Sequence, residues 1–446
     1  MNYSVVIYIL GWIMEIEAAF LALPGIVSAI YGEKGGFAFL WVALGSAVAG
    51  SAIILRKPKN MRFYLREGFV TVALSWILMS VIGCLPFVIN GDIPHFADAL
   101  FEMISGFTTT GATVVSDVEG LTKGSLFWRS FSHWIGGMGV LVFLLAIVPM
   151  AGGSHMNLMK AESPGPSVGK LVPKVRQTAK YLYIIYFTLT MIEVIFLLFG
   201  GMNLFEALTT SFGTAGTGGF AIWNDGFVSV SPYNQWVVTI FMLLFGVNFG
   251  FYFLILTGKL RDALKFEEVR IYFIIVIAAA VFIFINLRHF ALYAPAEGIR
   301  QAFFQVASII TTTGFASADF NLWPETSRTI LVLLMFIGAC AGSTGGGIKV
   351  SRFIIACKSF IKEIISYLHP RSVKKIKIEG KPLEHETLRA TNVYFMTYMV
   401  IFAVSVLLVS IENKDLVTNF AAVAATFNNI GPGLSLVGPM ANFGHF

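Results

Sequence analysis

Four apolar stretches, at 95–108, 203–213, 299–311 and 416–428, end in clusters of Gly, Thr or Asn, and each is too short to cross a bilayer. They alternate with longer apolar runs, drawn at about 5–30, 36–55, 68–90, 125–150, 180–200, 232–257, 270–288, 325–357 and 391–411. A crossing helix needs roughly 20 apolar residues, and shorter stretches are read as re-entrant. Aligning the four ends on one glycine gives Phe107-Thr-Thr-Thr-Gly111, Phe212-Gly-Thr-Ala-Gly216, Ile310-Thr-Thr-Thr-Gly314 and Phe427-Asn-Asn-Ile-Gly431. A large apolar residue stands four before each glycine, and a small one (Ser105, Thr210, Ser308, Ala425) stands six before. Self-similarity at this spacing predicts one supersecondary unit used four times: helix, half-helix, glycine-centred extended segment, helix.

With 56 % apolar and 13 % charged residues, soluble globular packing, disorder and a disulfide scaffold are excluded. The net charge of +6 would point to nucleic acid in a soluble protein, but 24 of the 31 cations fall in 56–66, 160–180, 259–270 and 349–389. Each lies two crossings from the next, as expected for inner loops, so the N-terminus is expected on the cytoplasmic side and no nucleic-acid partner is expected. The re-entrant ends lie on the opposite, acidic side, near Asp92, Asp98, Asp117, Glu119, Asp225, Glu297, Asp319, Glu325, Glu412 and Asp415; such a vestibule concentrates cations, though acids also collect wherever positive residues are excluded. Cys84, Cys340 and Cys357 have neither metal nor disulfide spacing. The apolar run after Met1 reads as a retained helix rather than a leader.

The expected fold is therefore an all-α polytopic membrane protein: four pseudo-repeated helix–pore helix–filter–helix units around one pore, plus two N-terminal helices. The boundaries drawn are a two-helix extension at 1–60 and units at 61–160, 161–264, 265–365 and 366–446. Irregular backbone at membrane depth must be buried in protein or line a watery cavity, and four such segments argue for one shared cavity. Rings of carbonyls can replace the hydration shell of potassium, and each half-helix aims a partial negative charge from its C-terminal end at the site. No titratable side chain occurs in 109–113, 214–218, 312–316 or 429–433. The expected filter residues are Thr109, Thr110, Gly111; Thr214, Ala215, Gly216; Thr312, Thr313, Gly314; and Asn429, Ile430, Gly431.

The crossing at 325–357 is interrupted by the glycine-rich stretch 338–347, too costly to remain helical at about 1 kcal/mol per Gly relative to Ala. An unwound loop is expected below the filter, with Gly342, Ser343, Thr344, Gly345, Gly346, Gly347 and Lys349 as gate residues; close helix packing through small residues is the structural alternative.

These motifs, with His133-Trp-Ile-Gly-Gly-Met-Gly139, Ala215-Gly-Thr-Gly-Gly-Phe220, Ala341-Gly-Ser-Thr-Gly-Gly-Gly347 and Asn428-Asn-Ile-Gly-Pro-Gly433, resemble the TrkH/KtrB/HKT superfamily of potassium transporters along essentially the whole chain. The two helices before the first unit place the resemblance with the TrkH branch. It implies potassium uptake through a gated channel-like pore, a glycine loop as gate, potassium bound at the filter residues and no organic cofactor on this chain. It also implies a membrane homodimer in the bacterial inner membrane, contacting lipid and carrying a cytosolic ring of RCK-type, TrkA-like nucleotide-binding subunits. Glycine rather than serine at Gly111 favours potassium over sodium. The family pattern continues after Gly433 through a closing helix, so the fourth unit is expected to lack its final helix as given.

The alternatives are a sodium-permeable relative and an ion-coupled symporter titrating on Glu193 or His133. An intramembrane enzyme finds no support in the scattered His95, His133, His155 and His289. Arg129 and His133, four apart on one helix, are read as polar braces behind the filter. Glu15, Glu17 and Glu193 are intramembrane charges: Glu15 and Glu17 are expected to pair at an interface or line a small wet crevice, and Glu193 to pair with a neighbouring helix.

Overall fold

The computed structural model describes residues 1–59, 64–147, 175–369, 375–379 and 381–444. The basic stretch at 160–174, with Ser163 to Ser167, and His155 lie outside the described residues. Helix α1 (Tyr3–Ile30) and α2 (Gly36–Ile54) form an antiparallel pair. They approach closely where Gly11 faces Gly50 and Gly25 faces Gly36: a Cβ on Gly50 would stand 2.9 Å from the Gly11 carbonyl oxygen, the small-residue contact that lets membrane helices pack. Glu15 accepts a hydrogen bond from Ser51 across this interface at 2.6 Å, as its placement predicted. The pairing expected of Glu17 is not made, since neither of its carboxylate oxygens has a hydrogen-bond partner among the described residues, whereas Glu193 lies beside the Thr214 hydroxyl.

The first unit runs α3 (Leu65–Asn90), half-helix α4 (Phe96–Phe107) and α5 (Lys123–Ile147). The second has α6 (Val175–Phe199), half-helix α7 (Leu204–Gly216), α8 (Pro232–Phe245) and α9 (Phe249–Leu256), followed by the short α10 (Leu260–Ala263). The third comprises α11 (Glu267–His289), half-helix α12 (Pro295–Ile310), α13 (Glu325–Ile337) and α14 (Val350–Leu368). The fourth holds α15 (His385–Val409) and half-helix α16 (Leu416–Phe427). Among the described residues six helices are long and apolar enough to cross a membrane, or seven if α8 and α9 count as one broken span.

All four short apolar stretches fold as half-helices. Two features differ from expectation. The run at 232–257 is not one helix: α8 and α9 meet at 89°, around Gly246, Val247 and Asn248. The Gly246 carbonyl freed by the break accepts from the Cys340 N–H at 3.0 Å, and the Phe249 N–H donates to the Gly342 carbonyl at 3.0 Å. The glycine loop of unit three therefore satisfies the broken backbone of unit two, which is what makes such a break tolerable at this depth. The second difference is a small antiparallel pair, β1 (Lys377–Ile378) with β2 (Lys381–Pro382), in the basic stretch 349–389.

Candidate functional site

Each half-helix ends in the same hydrogen-bond pattern, and that pattern defines which residues correspond. A six-to-one bond closes each end: Thr110 N–H to Ser105 O at 2.8 Å, Gly218 N–H to Gly213 O at 2.9 Å, Thr313 N–H to Ser308 O at 2.8 Å, and Ile430 N–H to Ala425 O at 2.8 Å. The residue just before each of these donors is left-handed, with φ of 59° at Thr109, 53° at Thr217, 58° at Thr312 and 68° at Asn429. This is a Schellman ending, here built three times on threonine. A β-branched residue in that region is a genuine outlier, and strain of this kind collects at functional sites. Two residues further on, Gly111, Gly219, Gly314 and Gly431 have φ of 77°, 85°, 85° and 93°.

The second unit is thus offset from the sequence alignment by three residues. Thr214, Ala215 and Gly216 lie inside α7, and Thr217, Gly218 and Gly219 occupy the place matching the other three segments. The correction has a packing cause. A capping box between Asn203 and Glu206 fixes the start of α7, and Gly216 lies against α5, where a Cβ would collide with the His133 carbonyl. Gly216 serves helix contact, and the strained turn falls later.

The four segments close on one another in chain order. A Cβ added at Gly111 would collide with the carbonyl oxygen of Gly218; at Gly219, with that of Thr313; at Gly314, with that of Ile430. At Gly431 it would lie 2.8 Å from the carbonyl oxygen of Thr110 and 3.0 Å from that of Gly111. Each segment leans on the next and the fourth returns to the first, so only glycine fits these positions. The half-helices meet this ring with their C-terminal ends.

Hydrogen bonds brace every joint. Between units one and two, His133 Nδ1 donates to the Gly106 carbonyl at 3.0 Å, and its Nε2 accepts from the Phe220 N–H at 3.3 Å. Both ring nitrogens are engaged, with the proton on Nδ1 because a carbonyl can only accept. Arg129, four residues earlier, is 1 % exposed and pairs with the fully buried Glu102 at 2.7 Å; its guanidinium lies 4.2 Å from the centre of the Phe220 ring. Glu102 also accepts from Thr113 Oγ1 at 2.9 Å and the Val114 N–H at 3.1 Å, fixing the exit of the first segment. Units two and three meet through Phe227 N–H to Ala316 O at 2.8 Å. Between three and four, the Asn321 side chain accepts from Ser435 N–H at 3.0 Å and donates to its carbonyl at 3.3 Å. At the seam of four and one, Asn429 Nδ2 donates to the Thr108 carbonyl at 2.6 Å and the Thr109 carbonyl at 3.2 Å, while Thr110 Oγ1 donates to Asn429 Oδ1 at 2.5 Å.

Arg129 and His133 therefore occupy the bracing position their spacing predicted. Glu102 escaped sequence reasoning because it reads as one more acid on the polar face of a short half-helix, 27 residues from its partner.

The 338–349 segment is non-helical and lies against the third and fourth segments. The Gly346 N–H donates to Thr312 Oγ1 at 2.5 Å. A Cβ on Gly345 would stand 2.7 Å from the Thr311 carbonyl, and one on Gly346 would stand 2.8 Å from Asn429 Cβ. Ser343 Oγ turns back to the Cys340 carbonyl at 2.6 Å, and Thr344 Oγ1 donates to the Phe245 carbonyl at 3.4 Å. Lys349, 4 % exposed and at φ 83°, donates its Nζ to the Gly345 carbonyl. Gly342 and Gly347, at φ 67° and 75°, make the turns.

Comparison with known proteins matches residues 37–443 to the TrkH family, described as a cation transport protein. The chain is 36 % identical over 450 residues to the Trk system potassium uptake protein TrkH of Escherichia coli (strain K12), covering 98 % of this chain and 92 % of that protein. It is 34 % identical over 442 residues to the protein of the same name from Halomonas elongata, covering 97 % and 91 %. The crystal structure of the potassium transporter TrkH from Vibrio parahaemolyticus superposes with a TM-score of 0.88 at 32 % identity, over 100 % of this chain and 93 % of that one.

Proposed function

The chain belongs to the TrkH family of cation transport proteins, and on that premise we propose that it is a potassium-uptake pore whose ion path runs through the ring of four glycine-centred segments. Carbonyls of 109–111, 217–219, 312–314 and 429–431 replace the water around the ion, and the C-terminal ends of four half-helices add a negative field. The observation that carries this reading is the closure of the ring, each segment seated on the carbonyl of the next. It leaves no room for side chains beyond glycine at the contacts, and no acid lies within it, so the ion meets backbone oxygens. Passage is passive, down the electrochemical gradient. A symporter titrating on His133 is disfavoured because both of its ring nitrogens are occupied by backbone groups.

The chain sits in the bacterial inner membrane with its N-terminus cytoplasmic, as a homodimer. Its basic inner loops dock a cytosolic ring of nucleotide-binding subunits. The 342–347 stretch with Lys349 closes the path from below, since it lies against Thr311, Thr312 and Asn429.

Uptake by a potassium-transporter-deficient cell tests the filter. Gly111→Ser pushes a side chain into the Gly218 carbonyl, and the preference for potassium over sodium is expected to fall about tenfold, a loss of roughly 1.4 kcal/mol of discrimination; an unchanged preference removes the filter assignment. Deleting 343–346 is expected to raise flux severalfold, and reduced or unaltered flux retires the gate.

A further inference from the structure

Glu268, in the first turn of α11, is 6 % exposed and belongs to none of the filter segments. Its Oε1 accepts the Ala341 N–H at 2.7 Å and the Ser351 N–H at 3.0 Å. One carboxylate oxygen thus holds the closing loop at Ala341 near its start and at Ser351 just past its end. Asn248, at the break between α8 and α9, stands at the same corner, with its Oδ1 3.4 Å from where a Cβ on Gly342 would lie. The preceding residue, Glu267, reaches a different element. Its carboxylate pairs with Lys358 of α14 at 2.5 Å and accepts the Glu379 N–H at 3.5 Å, while Lys358 Nζ also donates to the Lys377 carbonyl at 2.7 Å. Two adjacent acids on one helical turn therefore hold, respectively, the intramembrane loop and the β1–β2 pair of the basic inner stretch. Hydrogen bonds to an ionised group are the strong ones, and a buried carboxylate stripped of donors is costly, so Glu268 and the loop ends stabilise one another.

We propose that Glu268 is the positioning residue of the closing loop, clasping it under the filter, and that Glu267 with Lys358 couples this clasp to the β1–β2 pair on the inner face; this rests on the reading of 338–349 as the gate. A load on the β1–β2 pair moves the first turn of α11, and with it both anchors of the loop. No separate hinge is required, because the two carboxylates are consecutive on one rigid turn.

The test is potassium flux into proteoliposomes reconstituted with the full chain alone. Glu268→Ala is expected to raise flux about tenfold, since it releases two hydrogen bonds. Glu268→Gln keeps the acceptor oxygen and is expected to raise it less than threefold. In the 343–346 deletion background Glu268→Ala is expected to add nothing, whereas a general packing defect would change flux in both backgrounds. If the deletion raises flux and Glu268→Ala does not, the clasp is wrong and the gate stands; if the deletion itself leaves flux flat, both fall. Should Glu268→Ala fail to assemble, Glu268→Asp, which keeps the charge on a shorter arm, takes its place with the same expected rise, and unsubstituted flux there overturns the clasp. For the coupling, Glu267→Lys and Lys358→Glu each raise flux and their combination returns it toward the starting level. Unaltered flux in both single variants, or no return in the double, overturns the coupling.

Discussion

Gly219→Ala is expected to reduce potassium uptake on the order of a hundredfold, while Thr214→Ala stays within about threefold of the unsubstituted chain. The alanine meets two penalties at once. Its backbone must hold φ 85°, a strain of about 1–3 kcal/mol for a residue with a side chain, and its Cβ enters the carbonyl oxygen of Thr313. Relieving either rotates a carbonyl of the ring away from its place, and each 1.36 kcal/mol on the barrier is a factor of ten in rate. Thr214 is a helical residue whose hydroxyl bonds the Thr210 carbonyl at 3.0 Å and lies beside Glu193, so its loss removes local contacts behind the ring and moves no ring carbonyl. Initial uptake rates in a transporter-deficient strain, normalised to membrane content, decide the matter. The reverse order of sensitivities would restore the 214–216 register.

The largest stability effect is expected at the buried pair of Glu102 and Arg129. Removing one member leaves the other charged and unpaired at a site that is 0–2 % exposed, which costs about 3–5 kcal/mol. Glu102→Ala also removes the acceptor for the Thr113 hydroxyl and the Val114 N–H. In detergent, the thermal midpoint is expected to fall by roughly 5–10 °C. Replacing both members together, Glu102→Gln with Arg129→Gln, recovers much of the loss, because neutral partners carry no desolvation debt. A double variant as unstable as the single one would show that the pair does not act as an energetic unit.

The architecture was legible because each unit combines two signals of different period: long apolar runs, and short ones ended by glycine. Composition made the chain a membrane protein, and the motif register found three of the four turns. The second turn was misplaced because 213–219 contains four glycines, and a four-residue window matches more than one of them. The pair Gly219-Phe220 mirrors Gly314-Phe315, a signal that would have set the register. What sequence could not supply was the partner of an acid. Glu102 and Glu268 each satisfy groups far away along the chain, and only the folded chain brings Arg129 to the first and the ends of the 338–349 loop to the second. The break at 246–248 was hidden for a related reason: its hydrogen-bond partners come from that same loop, about 90 residues on.

The seam bond from Asn429 to Thr109 joins residues 320 apart in the chain. Contacts of such separation form late and slowly, and here three of the four segments are synthesised before the fourth. The ring of four segments is therefore completed only at the close of biogenesis. A nascent chain arrested before 429 already seats Gly111 on Gly218 and Gly219 on Thr313, but leaves Gly314 without the Ile430 carbonyl it leans on.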